Sequence, residues 1–96
     1  MHAVIRTYSG HGAKDLAGVL TKHKGEVEAL LRSVKGFVSY TLAHTHDGCV
    51  SVTICDTKAG TDESLQKARD WIAKNAGGTG VAAPQVAEGA VITHLK

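Results

Sequence analysis

The hydrophobic pattern of the chain changes from a strand-like to a helix-like period within its first third. Residues 2–8, HAVIRTY, are mostly β-branched or aromatic and predict a strand that ends at Ser9-Gly10. From about residue 14 to residue 34, the apolar residues are spaced as on one continuous helix face, which ends at Gly36. The members of that face are Leu16, Leu20, His23, Val27, Leu30 and Val34. Only the histidine interrupts the apolar stripe.

Two further strands are predicted at residues 37–46 and 49–56. The dipeptide Asp47-Gly48 between them is a strong signal for a tight hairpin turn. Because side chains alternate along a strand, the two faces of the third strand can be read from the sequence. One face carries Val50, Val52 and Ile54, and the other carries Cys49, Ser51, Thr53 and Cys55.

A second helix and a last strand complete the predicted elements. The helix is expected at about residues 62–76, with Thr61 or Asp62 as its N-cap and glycines directly after it. The strand is expected at residues 85–95, QVAEGAVITHL.

The predicted order is βαββαβ, which is an α+β fold of the ferredoxin-like type in one domain spanning residues 1–96. Right-handed crossovers place both helices on one face of a four-stranded antiparallel sheet with strand order 4-1-3-2. Residues 3–5 and 90–92 are apolar on both strand faces, whereas a solvated face shows clean alternation. We therefore expect a homodimer in which the uncovered sheet faces of two copies meet.

Composition and charge narrow the class of protein. The chain has 96 residues, 43% of them hydrophobic, and a net charge of +2 without a basic run. This charge gives no electrostatic reason to expect binding to nucleic acid or to an anionic membrane. Cys49 and Cys55 are about 20 Å apart if their strand is extended, too far to form a disulfide. Free cysteines and the absence of a signal-peptide pattern predict a cytoplasmic location.

A longer stretch of the chain is similar to a known family. The sequence VKGFVSYTLAHTHDGCVSVTICDTKAGTDESLQKARDWIAKN, residues 34–75, resembles the antibiotic biosynthesis monooxygenase-like proteins of the dimeric α/β-barrel superfamily. The features that carry the resemblance are the GF-x-SY start of the second strand, the Asp-Gly hairpin, the D-x-KAG segment and the A-x-x-W helix. The resemblance is specific for the fold and less so for the function, because the superfamily includes cofactor-free oxygenases, haem-degrading enzymes and isomerases. The function that it suggests for this chain is cofactor-free oxygenation of a small phenolic or quinol-type molecule.

Two residues are predicted to carry chemistry. Histidine gains and loses a proton near neutral pH, so His23 is a candidate base for abstracting a proton from a phenol. Arg6 is a candidate for stabilising the resulting phenolate or enolate by its charge. The alternatives are a hydrogen-bonded core histidine and an arginine that pairs with an acidic residue or faces solvent.

Three aromatic residues are predicted to line a substrate pocket. Trp71, the only tryptophan, lies on the apolar side of the second predicted helix and could form a pocket wall. Tyr8 shares a strand face with Arg6, and Tyr40 lies on the second strand. For all three, packing in the core is the alternative role.

The competing hypothesis is a non-catalytic, dimeric binding or regulatory module of the same fold. The low aromatic content, 4%, favours it, because few rings are left to hold a flat substrate. Haem or metal binding is a minor variant of this hypothesis. The haem-degrading branch of the superfamily carries an asparagine on its first strand, where this chain has none. Topology also predicts that His2, His44, His46 and His94 gather at one end of the sheet, although the strands separate them too widely for one metal site.

Overall fold

The computed structural model describes all 96 residues and has four strands, as predicted, but three α-helices instead of two. The strands are β1 His2–Tyr8, β2 Phe37–Thr45, β3 Gly48–Cys55 and β4 Gln85–Ala90. The helices are α1 Ala13–Lys22, α2 Lys24–Arg32 and α3 Lys58–Asn75, with one 3₁₀ turn at Gly77–Thr79.

The strands form one antiparallel sheet with the order β2-β3-β1-β4, so the predicted order 4-1-3-2 is confirmed. The β2–β3 hairpin turns at His46-Asp47, and Gly48 is already the first residue of β3. A Cβ atom at Gly48 would collide with the carbonyl oxygen of Tyr8 and the Cβ atom of Ala13. The glycine of the predicted turn is therefore needed because the end of β1 passes so close to it.

The helices cover the sheet face that carries the smaller side chains of β3. Cys49, Ser51 and Thr53 are buried there, next to Tyr8 and Arg6 of β1. Leucines of α1 and α2 pack onto this face, together with Ala13, Ala17, Val27, Trp71 and Ala76. Small residues on the sheet let the helices approach closely and leave room for the long side chains of β1.

The single first helix predicted for residues 14–34 is wrong in one respect, because the chain bends at His23. The backbone of His23 has φ −109° and ψ 25°, outside the helical range. Hydrogen bonds still cross the bend, from the His23 amide to Val19 and from Val27 to His23, both 3.1 Å long. The bend lets α1 pack on β3 while α2 packs on β2 and α3, which one straight helix could not do.

Two element boundaries also differ from the prediction. Helix α3 begins at Lys58 because Thr57 caps it, its hydroxyl accepting a hydrogen bond from the Gly60 amide at 3.3 Å. The predicted caps, Thr61 and Asp62, lie inside the helix. Strand β4 ends at Ala90, which pairs with His2, instead of at residue 95. Beyond it, Val91 donates one more backbone hydrogen bond, 3.0 Å long, to the carbonyl of Met1.

The prediction that four histidines gather at one end of the sheet is wrong. His2 pairs with Cys55 at the start of β1, whereas His44 pairs with Cys49, which lies opposite Tyr8 at the other end of β1. The error came from the strand directions: β1 and β3 are antiparallel and start at opposite ends. No group of three or more His, Cys, Asp or Glu side chains is arranged to hold a metal ion.

Candidate functional site

A small cavity lies between the helices and the sheet, close to the middle of β1. Its volume is about 10 Å³, which is room for about one water molecule. Leucines and other apolar side chains form most of its wall, and Trp71 of α3 contributes its ring. The polar side chains in the wall are those of Arg6, Tyr8, Tyr40 and Ser51. The cavity is thus apolar except for one cation and three hydroxyl groups.

Arg6 is the unusual residue of this cavity. It lies in the middle of β1 on the helix-covered face and is only 4% exposed. Its Nη1 atom donates one hydrogen bond, 3.3 Å long, to the Tyr8 hydroxyl, and its Nε atom is buried without a partner. Arg6 takes part in none of the salt bridges of the chain. The positive charge is therefore buried without a carboxylate to balance it, an arrangement that is costly in a protein interior.

Ser51 lies directly across from Arg6 in the register of β1 and β3. It is 1% exposed, and its hydroxyl has no hydrogen-bond partner in the protein. Buried hydroxyls normally find a partner, so this group and the Arg6 Nε atom are two exceptions in the wall of one cavity. Both are donors, and so is the Tyr8 hydroxyl, whose proton is given to no protein acceptor.

The two tyrosines of the cavity stay protonated to higher pH than usual. Burial raises the pKa of Tyr8 above its ordinary value of 10.0, and the nearby Arg6 charge opposes this rise only in part. Burial likewise raises the pKa of Tyr40, against the same opposing effect of Arg6. At neutral pH both residues therefore present hydroxyl groups that can donate a hydrogen bond.

Trp71 connects the cavity to a polar group on the outside of α2. Its indole Nε1 donates a hydrogen bond, 3.0 Å long, to the carboxylate of Glu26. The same carboxylate lies 3.6 Å from the Nδ1 atom of His23, and the imidazole packs edge-on against the indole ring with their centres 5.8 Å apart. Trp71 is buried in the hydrophobic core and also lines the cavity.

His23 itself lies outside the cavity. It occupies the bend between α1 and α2, its side chain is 40% exposed, and it is not part of the cavity wall. The structure thus brings together four of the five predicted site residues: Arg6, Tyr8, Tyr40 and Trp71. Their roles in binding or catalysis, and that of His23, stay predictions.

Two larger grooves share walls with the cavity. One, of about 330 Å³, runs between α1, α2 and β2 and is bounded by Tyr40 and Leu42 on the side of the cavity. The other, of about 290 Å³, lies between α3 and residues 81–84 and shares Tyr8 and Ile72 with the cavity. The cavity and each groove therefore lie on two sides of the same side chains.

Sequence reasoning missed Ser51 and Glu26. No sequence pattern indicated a role for Ser51. A serine among small strand residues becomes a candidate only when Arg6 is known to lie opposite it on the neighbouring strand. Glu26 could have been found, since it follows His23 by three residues and therefore lies on the same side of a helix.

The comparisons with known proteins identify the class of fold. A protein of unknown function from Nitrosomonas europaea matches with TM-score 0.69 and 12% identity over 99% of this chain and 91% of its own. SnoaB, a cofactor-independent oxygenase from Streptomyces nogalater, matches with TM-score 0.67 and 14% identity over 98% and 95%. The ActVA-Orf6 monooxygenase from Streptomyces coelicolor, solved with the ligand nanaomycin D, matches with TM-score 0.61 and 16% identity over 97% and 91%.

The chain therefore has the fold of the antibiotic biosynthesis monooxygenase-like proteins, which confirms the predicted resemblance at the level of fold. No family model and no curated protein sequence matches the chain. At these low identities the likeness establishes the fold alone, since unrelated functions share folds. None of the helices has the length and apolar character needed to cross a membrane.

Proposed function

We propose that the protein is a cofactor-free, monooxygenase-like enzyme that acts on a small phenolic or quinol-type molecule. The oxygen of this molecule would enter the cavity beneath α1, α2 and α3, and its ring would occupy the adjoining groove after a shift of the side chains that the cavity and the groove share. The observation that carries this proposal is the buried Arg6 guanidinium, which has no carboxylate partner and lies in an otherwise apolar wall. A buried charge whose only hydrogen-bond partner is a hydroxyl is typical of a site prepared for a ligand of opposite charge. Structural neighbours that oxygenate without a cofactor support the same reaction class.

The proposed chemistry uses only the substrate and O₂. An anthrone or a related ring ketone ionises to an enolate, whose oxygen Arg6 would hold and whose negative charge is shared with the reacting carbon. That carbon gives up four electrons and two protons as its CH₂ group becomes a carbonyl. Dioxygen takes the four electrons, so that one oxygen atom enters the product and the other leaves as water. The apolar wall around Trp71 would keep bulk water from the intermediate.

A second candidate function is a non-catalytic binding module, and one observation favours it. No Asp, Glu or His side chain lines the cavity, and His23, the predicted base, lies outside it. A protein that only holds an anionic aromatic molecule needs no base. The two candidates differ in whether oxygen is consumed when the ligand binds.

We also propose that two copies pair through the sheet face that the helices leave open. Three apolar side chains lie on that face. Ile5 of β1 pairs with Val52 of β3, and Val50 lies two residues from Val52 along β3. A second copy of the chain, presenting the same apolar face, is the cover we propose. Two apolar side chains after β4, Ile92 and Leu95, are 98% and 89% exposed and would gain burial in a dimer. A cytoplasmic location stays the prediction from sequence.

The test of the oxygenase proposal is oxygen uptake by the metal-free protein with a panel of anthrones, naphthols and quinols. With ¹⁸O₂, one labelled atom should appear in the product and one in water. Replacing Arg6 by Met should lower kcat by about 100-fold or more, the usual cost of losing one oxyanion donor. Arg32→Met, which removes an exposed arginine of α2, is the matched control and should leave the rate unchanged. A panel without any uptake above the uncatalysed rate would contradict the proposal.

A further inference from the structure

The cavity wall contains donors but no group that can take a proton. Arg6 and the hydroxyls of Ser51 and Tyr8 can each donate a hydrogen bond into the cavity. Tyr40 also keeps its proton at neutral pH, and burial raises its pKa further above the ordinary value of 10.0. An acceptor of the proton, such as a carboxylate or an imidazole, is absent from the twelve residues that form the wall.

The nearest candidates for a base are held away from the cavity. Glu26 accepts the indole hydrogen bond of Trp71 from the side of α2, and its carboxylate is more than half exposed. His23 packs against the edge of the same indole ring. Both residues therefore meet the tryptophan from outside, while the ring of Trp71 belongs to the cavity wall.

We infer that this cavity receives the oxygen of its ligand as an oxyanion that is already ionised, held by Arg6, Ser51 and Tyr8, while the rest of the ligand lies in the adjoining groove. The proton of the ligand goes to bulk water. The step is an acid dissociation: the ligand O–H bond breaks, its electron pair stays on oxygen, and water or buffer takes the proton. No electrons are transferred in this step. The buried guanidinium drives the dissociation, because it stabilises the charged form of the ligand and not the neutral form.

The donors also indicate the shape of the anion. The guanidinium is planar and forms parallel hydrogen bonds with an oxygen anion whose charge is delocalised. Ser51 lies on the neighbouring strand at the same level as Arg6, so both could reach one oxygen atom or the two oxygens of one group. An ionised phenol or enol and an aromatic carboxylate share this chemistry. The inference rests on the same cavity as the proposed oxygenase, but it concerns binding and does not require turnover.

The test is a binding titration with 4-nitrophenol, whose neutral and ionised forms absorb light at different wavelengths. Binding is followed independently by quenching of the fluorescence of Trp71, the only tryptophan. At a pH below the pKa of the free ligand, the bound ligand should show the absorption of the phenolate. Benzoate distinguishes a carboxylate ligand from a phenolate, and benzyl alcohol, which cannot ionise, should bind at least tenfold more weakly than the better of the two.

Variants identify the groups responsible. Arg6→Met should weaken binding of the ionised ligand by about tenfold to a hundredfold and remove the phenolate absorption at low pH. Ser51→Ala removes one buried hydroxyl and should weaken binding about twofold to tenfold, which keeps the test informative if Arg6→Met does not fold. His46→Ala, in the exposed hairpin turn, is the control for a general effect of losing an imidazole.

Two results would overturn the inference. One is bound 4-nitrophenol with the absorption of the neutral phenol. The other is loss of the phenolate absorption in His23→Ala, which would make His23 the proton acceptor. Oxygen uptake separates this inference from the proposed function: binding as an oxyanion without uptake refutes only the oxygenase, and uptake without ionised binding refutes only the oxyanion site.

Discussion

At the scale of single residues, the helix-covered face of the sheet buries polar and ionisable groups where a core usually has apolar side chains. Arg6, Tyr8 and Ser51 are all nearly inaccessible, and two of their polar atoms lack protein partners. An apolar side chain at position 6 would avoid the cost of burying a charge, which reaches several kcal/mol. The stability of the domain is thus reduced at the place where a ligand could recover the loss on binding.

Buried ionisable groups also predict how stability depends on pH. Burial raises the pKa of Tyr8 and Tyr40 above the ordinary value of 10.0, and that of Cys49 and Cys55 above 9.0. The folded chain therefore holds these protons more tightly than the unfolded chain. Their contribution to stability is complete below about pH 9 and is lost as the pH rises through 9 to 10 and above.

We expect urea unfolding at a series of pH values to show a falling free energy of unfolding above about pH 9. Tyr40→Phe removes one of the four groups without removing a hydrogen bond, because the Tyr40 hydroxyl makes none to the protein, and should make the decline less steep. The same variant should match the wild type below pH 8 within about 0.5 kcal/mol. An equally steep decline in both proteins would show that Tyr40 does not contribute.

At the scale of elements, Gly25 and Gly60 differ in whether the packing of their helices requires a glycine. Gly25 lies in α2, and a Cβ atom added there would touch nothing within 4 Å. Gly60 lies in the first turn of α3, where an added Cβ atom would come within 2.8 Å of the Cys55 Cβ atom. The first glycine is a cost to the helix, whereas the second is required by the packing of α3 on β3.

The two glycines therefore give a matched pair of substitutions. Gly25→Ala should raise the free energy of unfolding by about 0.5–1 kcal/mol, because alanine restricts the unfolded chain and favours the helix. Gly60→Ala should lower it by about 1–3 kcal/mol, because the added methyl group overpacks the contact between α3 and β3. Chemical denaturation of both variants measures the difference. Equal effects would mean that the packing at Gly60 is looser than these distances indicate.

At the scale of the whole molecule, the helices use only one face of the sheet. The other face carries Ile5, Val50 and Val52 in its middle, and the fully exposed Ile92 and Leu95 lie in the segment after β4. An uncovered surface of this kind favours self-association of the protein. The proposed homodimer would cover the face without changing the cavity, which lies on the opposite side of the sheet.

We expect the purified protein to be a dimer at micromolar concentration in size-exclusion chromatography with light scattering. Val52→Glu places a charge in the middle of the open face and should shift the protein to a monomer, since a buried unpaired charge is strongly unfavourable. Ala29→Glu adds the same charge at an exposed position of α2 and should leave the dimer intact. A wild-type protein that elutes as a monomer would contradict the proposed pairing.

Much of the fold was predictable because its signals are local. The bounds of β1 are those predicted, and those of β2 and β3 differ by one residue, since alternation and turn residues act within a few positions. The end of β4 and the bend at His23 were not predictable, because each depends on which partner strand or helix lies next to it. The predicted start of α3 lies too late in the chain. Gly60 and Thr61 are not typical of a helix, so the sequence did not indicate that the helix already begins after Thr57.

The sequence alone determined the order of the elements, the sheet topology and the residue types available for chemistry. It placed Arg6 and Tyr8 on one strand face and Trp71 on the apolar side of its helix, since strand and helix periods set which side chains share a face. Only the tertiary structure decided that Arg6 has no carboxylate partner, that Ser51 lies beside it and that His23 lies outside the cavity. The physical reason is that a missing partner is a property of all the neighbours together, and those come from strands and helices far apart in the chain.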